Sequence, residues 1–106
     1  MATGLLGQAA LSAATDTTVY TVPVGYFSLV SVSICNRGSS VASIRVALAD
    51  DATPTSAEYI EYEAQVGANG VLERTGIMMN EGKNLVVYAN NANVSVSAFG
   101  IETSTT

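Results

Sequence analysis

The sequence predicts an all-β protein: a single antiparallel β-sandwich, of jelly-roll or immunoglobulin-like type, with an extended N-terminal arm. Three observations carry that prediction. Apolar residues recur at every second position in several short runs, the period of a half-buried strand. Turn residues separate those runs at roughly 8 to 12-residue spacing, the rhythm of sandwiches and barrels. No segment sustains the three-and-four spacing of a helix face. At 106 residues the chain has room for one domain, which at this size buries roughly two-thirds of its unfolded surface and needs no metal or disulfide to hold it.

Residues 1–15 are read as the arm and residues 16–106 as the sandwich domain. The arm is small-residue-rich, uncharged and without a clear period, so it cannot build a core of its own. Leu5, Leu6 and Leu11 make a fully solvated arm uncomfortable, and they are the residues expected to contact a neighbouring subunit or shell. The strands then follow in order. Thr17 to Val22 is rich in β-branched residues and ends at Pro23 and Gly25. Tyr26 to Asn36 places serines on every second site after Val30, with a shift of apolar phase between Leu29 and Val30 that signals a bulge or burial on both faces. Asn36-Arg37-Gly38-Ser39-Ser40 is a turn, after which Ile44, Val46 and Leu48 alternate with Ser43, Arg45 and Ala47.

Ser56 to Gln65 has the Glu and Ala content of a helix, with Ser56 placed to cap it. The order Ile60-Glu61-Tyr62-Glu63-Ala64 nevertheless alternates, so a strand is expected. Asn69-Gly70 reads as a hairpin turn of type I′, where both residues take positive φ. Glu81-Gly82 and Asn90-Asn91-Ala92-Asn93 are further turns. They flank Leu85 to Ala89, and beyond them Val94, Val96 and Ala98 alternate with Ser95 and Ser97.

Composition narrows the function mainly by exclusion. The chain is 48% hydrophobic and 12% charged, against a usual charged share of about 25%, which rules out a disordered acidic tail. Four Lys and Arg against nine Asp and Glu give a net charge of -5, so no nucleic-acid partner is expected. The single cysteine makes no internal disulfide. No apolar run approaches the 18 or so residues of a membrane helix, and the N-terminal residues lack the pattern of a signal peptide, so a soluble chain with no membrane partner is expected.

No enzyme is expected, and no cofactor. Histidine is absent, and with it the usual base that activates a Ser or Cys nucleophile. Cys35 is read as a small core residue near a strand end. Glu61 and Glu63 share one face of a straight strand at about 7 Å, a carboxylate spacing used by inverting glycosidases, yet few aromatics stand by to line a cleft; a solvated strand face is the reading. Asp50, Asp51 and Thr53 offer oxygens of the kind Ca²⁺ takes, but Asp50 to Pro54 reads more simply as a polar loop, and no metal site is assigned. What remains is surface. Strands carrying Ser, Thr, Ala and Val on both faces, with few charges, are poorly protected against edge pairing and suit assembly.

Several segments carry a family resemblance: Gly7-Gln8-Ala9-Ala10, Thr17-Thr18-Val19-Tyr20-Thr21-Val22-Pro23-Val24-Gly25, Cys35-Asn36-Arg37-Gly38, and Val94 to Glu102. The chain resembles the small all-β virion proteins of tailed bacteriophages, including those of cyanobacterial hosts. The resemblance implies a virion structural protein made in the host cytoplasm. Such a protein is met as a capsid decoration (cement) protein, a homotrimer stabilising the head through contacts with the major capsid protein, or alternatively as a tail, baseplate or fibre module. For the second role, exposed Tyr26, Tyr59, Tyr62 and Tyr88 are the aromatics available to a saccharide or receptor.

Overall fold

The computed structural model describes residues 3–105, so Met1 and Ala2 of the expected arm lie outside it. Eight strands follow one another: β1 (Thr3–Ala10), β2 (Thr17–Thr21), β3 (Tyr26–Asn36), β4 (Ala42–Ala49), β5 (Tyr59–Val66), β6 (Val71–Met79), β7 (Asn84–Ala89) and β8 (Val94–Ser104), with a single 3₁₀ turn, Ser56–Glu58, leading into β5. They form two four-stranded antiparallel sheets, β1-β8-β3-β6 (sheet A) and β2-β7-β4-β5 (sheet B). β1 pairs with β8, β2 with β7, β3 with β6 and β4 with β5. The chain is thus one long antiparallel ribbon doubled back at the β4–β5 loop, then rolled so that β3 meets β8 and β4 meets β7. That is the jelly roll, which selects between the two sandwich types the sequence left open.

The core lies between the sheets and follows the period of two. Val30, Val32 and Ile34 of β3, Ile44 and Val46 of β4, Leu85, Val87 and Ala89 of β7, and Val94, Val96 and Ala98 of β8 are each at most 1% exposed. The β3–β8 ladder runs from Tyr26↔Ser104 to Asn36↔Val94 without a register break. At Gly100 the two strands come so close that a Cβ would stand 2.0 Å from the Leu29 carbonyl oxygen. The expected phase shift at Leu29 is not a bulge of β3: Ser28 points inward, fully buried, while Leu29 faces outward, 41% exposed.

Among the described residues, register breaks fall only on the edge strands. Leu6 is the extra residue of β1, Val19 that of β2 and Ile60 one of those of β5, and all three tuck against the core. A second bulge in β5 sets Tyr62 and Glu63 opposite Arg45, and one in β6 sets Thr75 and Gly76 opposite Ser31. The central pairings β3–β8 and β4–β7 have none. Bulges twist an edge out of the flat geometry that a foreign strand could join. The expectation of poorly protected edges is therefore corrected.

The open sides of the sandwich are closed as well. On one, β1 and β2 meet backbone to backbone, where a Cβ on Gly7 would stand 2.2 Å from the Val19 carbonyl oxygen. On the other, Arg74 of β6 reaches Glu61 of β5 at 2.6 Å, and the same Nη1 donates to the Ile60 carbonyl at 3.3 Å.

Other expectations change in detail. Asn69-Gly70 does not close a hairpin within one sheet, because β5 belongs to sheet B and β6 to sheet A. Gly67 to Gly70 form a turn closed by Gly70 N–H donating to the Gly67 carbonyl, with Asn69 at φ +57°. The segment read as an arm supplies β1 within this chain's own sheet, and Leu11, 2% exposed, belongs to the core. The described part of residues 1–15 and the residues that follow share one hydrophobic core. Cys35 lies on the outer face of sheet A, half-buried, because it alternates with the inward Ile34 and Asn36.

Because the core and the outer face are separated so sharply along β3, two substitutions there should differ widely. Ile34→Ala should lower unfolding free energy by about 2–5 kcal/mol, whereas Leu29→Ala should cost about 1 kcal/mol or less, the scale of partly exposed sites. Urea titration of both variants checks the contrast.

Candidate functional site

Both ends of β3 are tied by buried polar groups whose partners come from the opposite sheet. At the C-terminal end, Asn36 is fully buried. Its Nδ2 donates to the carbonyls of Ser40, Val66 and Gly67 at 2.7–3.2 Å, and its Oδ1 accepts from Gly38 N–H at 3.0 Å. One amide thus holds the β3–β4 turn against the β5–β6 crossover. At the N-terminal end, Tyr20 reaches from sheet B to sheet A. Its hydroxyl donates to Glu102 Oε2 at 2.6 Å and is hydrogen-bonded to Ser28 Oγ at 2.6 Å. Burial first, and then the bond to the Glu102 carboxylate, push the Tyr20 hydroxyl up to about 12. These groups join the two sheets and stand too deep for a ligand to reach.

The surfaces that remain are the two outer faces, and they differ in chemistry. On sheet A the register places Leu5, Leu29, Phe99, Ile101 and Met78 side by side across the strands near one end. Each is between 38% and 59% exposed. Next to them run Ser31, Ser33, Ser95, Ser97 and Gln8, and Glu73 is the one charged side chain on the outward rows of the described strands of this sheet. Arg37 at the rim donates from Nε to Ser95 Oγ at 2.8 Å.

The outer face of sheet B carries Arg45 and Glu63 together with Tyr59, Tyr62 and Tyr88. Arg45 lies between two rings, its Cζ 4.2 Å from the centroid of Tyr88 and 4.7 Å from that of Tyr62. Its Nε donates to Glu63 at 2.6 Å, and the Glu63 carboxylate is the main reason the guanidinium is held above its ordinary value. Tyr59 meets Tyr62 edge to face with centroids 5.0 Å apart and covers the small apolar cluster of Ala47, Ala49 and Val86. The loop before β5 folds over the same face. Glu58 accepts from the N–H groups of Asp50 at 3.0 Å and Thr55 at 2.8 Å, and the Thr55 bond is the first cause holding its carboxyl below the ordinary range. Lys83 pairs with Asp50 at 2.7 Å and lowers that carboxyl too.

The residues singled out from the sequence are thus dispersed. Of the three arm leucines, Leu5 joins the apolar face of sheet A, Leu6 packs against the core and Leu11 lies within it. Glu61 and Glu63 do not share a face: the bulge turns Glu61 inward to Arg74 and Glu63 outward to Arg45. Asp50 faces Lys83, and Asp51 Oδ1 accepts from Thr53 N–H in a local turn. The apolar face of sheet A was missed as a unit, because the residues that compose it come from four strands. Comparison of the chain with protein-family models, with curated proteins and with solved structures gave no match.

The buried Tyr20 hydroxyl makes stability depend on alkaline pH. A tyrosine freed by unfolding ionises near pH 10, whereas the native one holds its proton to about 12. The stabilisation is therefore complete below pH 10 and is lost as pH climbs through that window. Tyr20→Phe should flatten this part of the alkaline decline and, at neutral pH, cost about 1.5–3 kcal/mol for the charge-assisted bond. Thermal melts of both proteins from pH 8 to pH 12 check it.

Proposed function

We propose that this protein is a non-enzymatic structural subunit of a bacteriophage particle, most simply a decoration protein that packs on the head shell and braces neighbouring capsid subunits. The observation that carries the reading is the outer face of sheet A, where an apolar patch spans four strands with one charge among the outward residues. A chain of net charge -5 that keeps one whole face nearly free of charge has a surface suited to desolvation. Bulged edges remove strand addition as the mode of contact, which leaves face packing. The resemblance to small all-β phage proteins points the same way. Viral capsid domains use the jelly roll too, an analogy of fold alone.

On this reading the contact differs from that expected of a free arm. Leu5 contributes from its place in β1, beside Phe99, and Leu6 and Leu11 support the fold. Burial of the patch contributes at about 25 cal/mol per Å² before association costs are subtracted. A homotrimer on the shell would multiply weak single contacts into firm attachment. A place in the tail, baseplate or fibre would use the same face against a different ring of subunits.

Leu29→Lys with Ile101→Asp, a cross-strand pair of opposite charge, should leave a folded protein, with far-UV spectrum retained, that no longer binds empty heads in a sedimentation assay. Particles assembled without the protein should rupture at lower temperature than complete ones. Labelling that finds the protein only on the tail, with none on the head, overturns the decoration reading.

A further inference from the structure

The outer face of sheet B, on the side of the sandwich away from the apolar patch, holds a shallow open depression bounded by Pro54, Ser56, Tyr59 and Tyr62. Tyr62 is 60% exposed, and several contacts restrain it. Arg45 is 4.7 Å from the centre of its ring, Tyr59 abuts it edge to face, and β5 is bulged at the next residue, Glu63, which takes φ +54°. The far wall is restrained as well. Glu58 closes a reciprocal capping arrangement with Thr55, and both Glu58 and Asp50 are held by Lys83. An exposed aromatic that is already immobilised loses little conformational freedom when a ligand stacks on it.

The chemistry of the walls selects the class of ligand. The depression presents aromatic and proline carbons beside the hydroxyls of Ser56, Tyr59 and Tyr62. A pyranose has that same double character, with C–H groups on one face and hydroxyls around its rim. Charged ligands fit less well. Arg45 already supplies a cation to the Tyr62 ring, which weakens the ring's attraction for a second one. The guanidinium is itself neutralised by Glu63 at 2.6 Å, so it offers little to an anion. We propose that the Pro54–Tyr62 depression is a binding site for a neutral saccharide, with the Tyr62 ring as its stacking platform. The site lies outside the proposed shell contact, and its occupancy does not depend on that role.

The test is a titration of isotope-labelled full-length protein with maltohexaose, cellohexaose and chitohexaose at millimolar concentrations, followed by two-dimensional NMR. Tetramethylammonium and phenyl phosphate serve as charged probes. Shifts confined to the Ser56–Glu63 stretch with at least one oligosaccharide are expected, with weak, fast-exchange binding. Tyr62→Leu, which keeps apolar cover but removes the ring, should weaken binding about tenfold or more; Tyr26→Leu, away from the depression, should leave it unchanged. No shift with any oligosaccharide, stronger binding of either charged probe at these residues, or undiminished binding by a folded Tyr62→Leu variant overturns the proposal. Tyr62→Ser, read in the same titration, replaces the leucine variant if that one does not fold, with the same loss expected.

Discussion

The β3–β8 ladder is the constraint on which the rest of this structure depends. It is the one pairing that joins the two halves of the chain through the middle of sheet A, and it runs unbroken from Tyr26↔Ser104 to Asn36↔Val94. Its strict alternation sends Val30, Val32, Ile34, Val94, Val96 and Ala98 inward and their neighbours outward. A slip of one residue would exchange the whole core for the serine rows. Several features guard the register. Gly100 permits a backbone approach that no side chain would allow, Asn36 locks one end of β3 and the Tyr20–Ser28 contact locks the other. Each lock crosses to sheet B, so the register of one sheet is coupled to the position of the other.

The irregularities are placed where regularity would be harmful. Every bulge among the described residues lies on an edge strand, and three of the extra residues, Leu6, Val19 and Ile60, fold inward to complete the core's margins. The same distortions spoil each edge as a template for another chain. This matters for a sequence with only 12% charged residues, which has few charges to spend on edge protection. With edges distorted and both side openings closed, the two faces are the surfaces that lie open. Sheet A then offers apolar area and hydroxyls, whereas sheet B offers aromatics already engaged with Arg45.

The legibility of the fold follows directly from those bulges. Strand β3 was readable to its ends, Tyr26 and Asn36, because its backbone register with β8 is unbroken and the turn residues Gly25 and Arg37-Gly38 bound it, even though its apolar phase shifts at Leu29. The alternation of β4 and the first half of β8 was visible for the same reason, whereas β7 showed only as a run of β-branched and aromatic residues, Leu85 to Ala89. Strand β6 was not recognised, since the bulge at Thr75-Gly76 breaks Val71–Met79 into two stretches of opposite phase. The turn at Asn69-Gly70 was the available signal that a strand must follow. Strand β1 was read as an arm because Gly4, Gly7 and the extra Leu6 erase its period. The Glu61 and Glu63 pair misled similarly: i and i+2 share a face in a straight strand, and β5 is not straight there.

What a linear reading could not supply is the grouping of side chains by sheet. Leu5, Leu29, Met78, Phe99 and Ile101 are unremarkable one at a time, and each sits in a strand whose other row packs on or within the core. They become a patch only when β1, β8, β3 and β6 are set in that order, an order produced by rolling the ribbon. The phase change at Leu29 was the local trace of this: an apolar residue placed on the outward row, opposite Ile101 and Met78, while the inward position beside it was given to Ser28 for the contact with Tyr20. The apparent disorder in β3's pattern is therefore two ordered demands meeting in adjacent residues. One is a polar tie between sheets on the inner face, and the other is an apolar surface on the outer face.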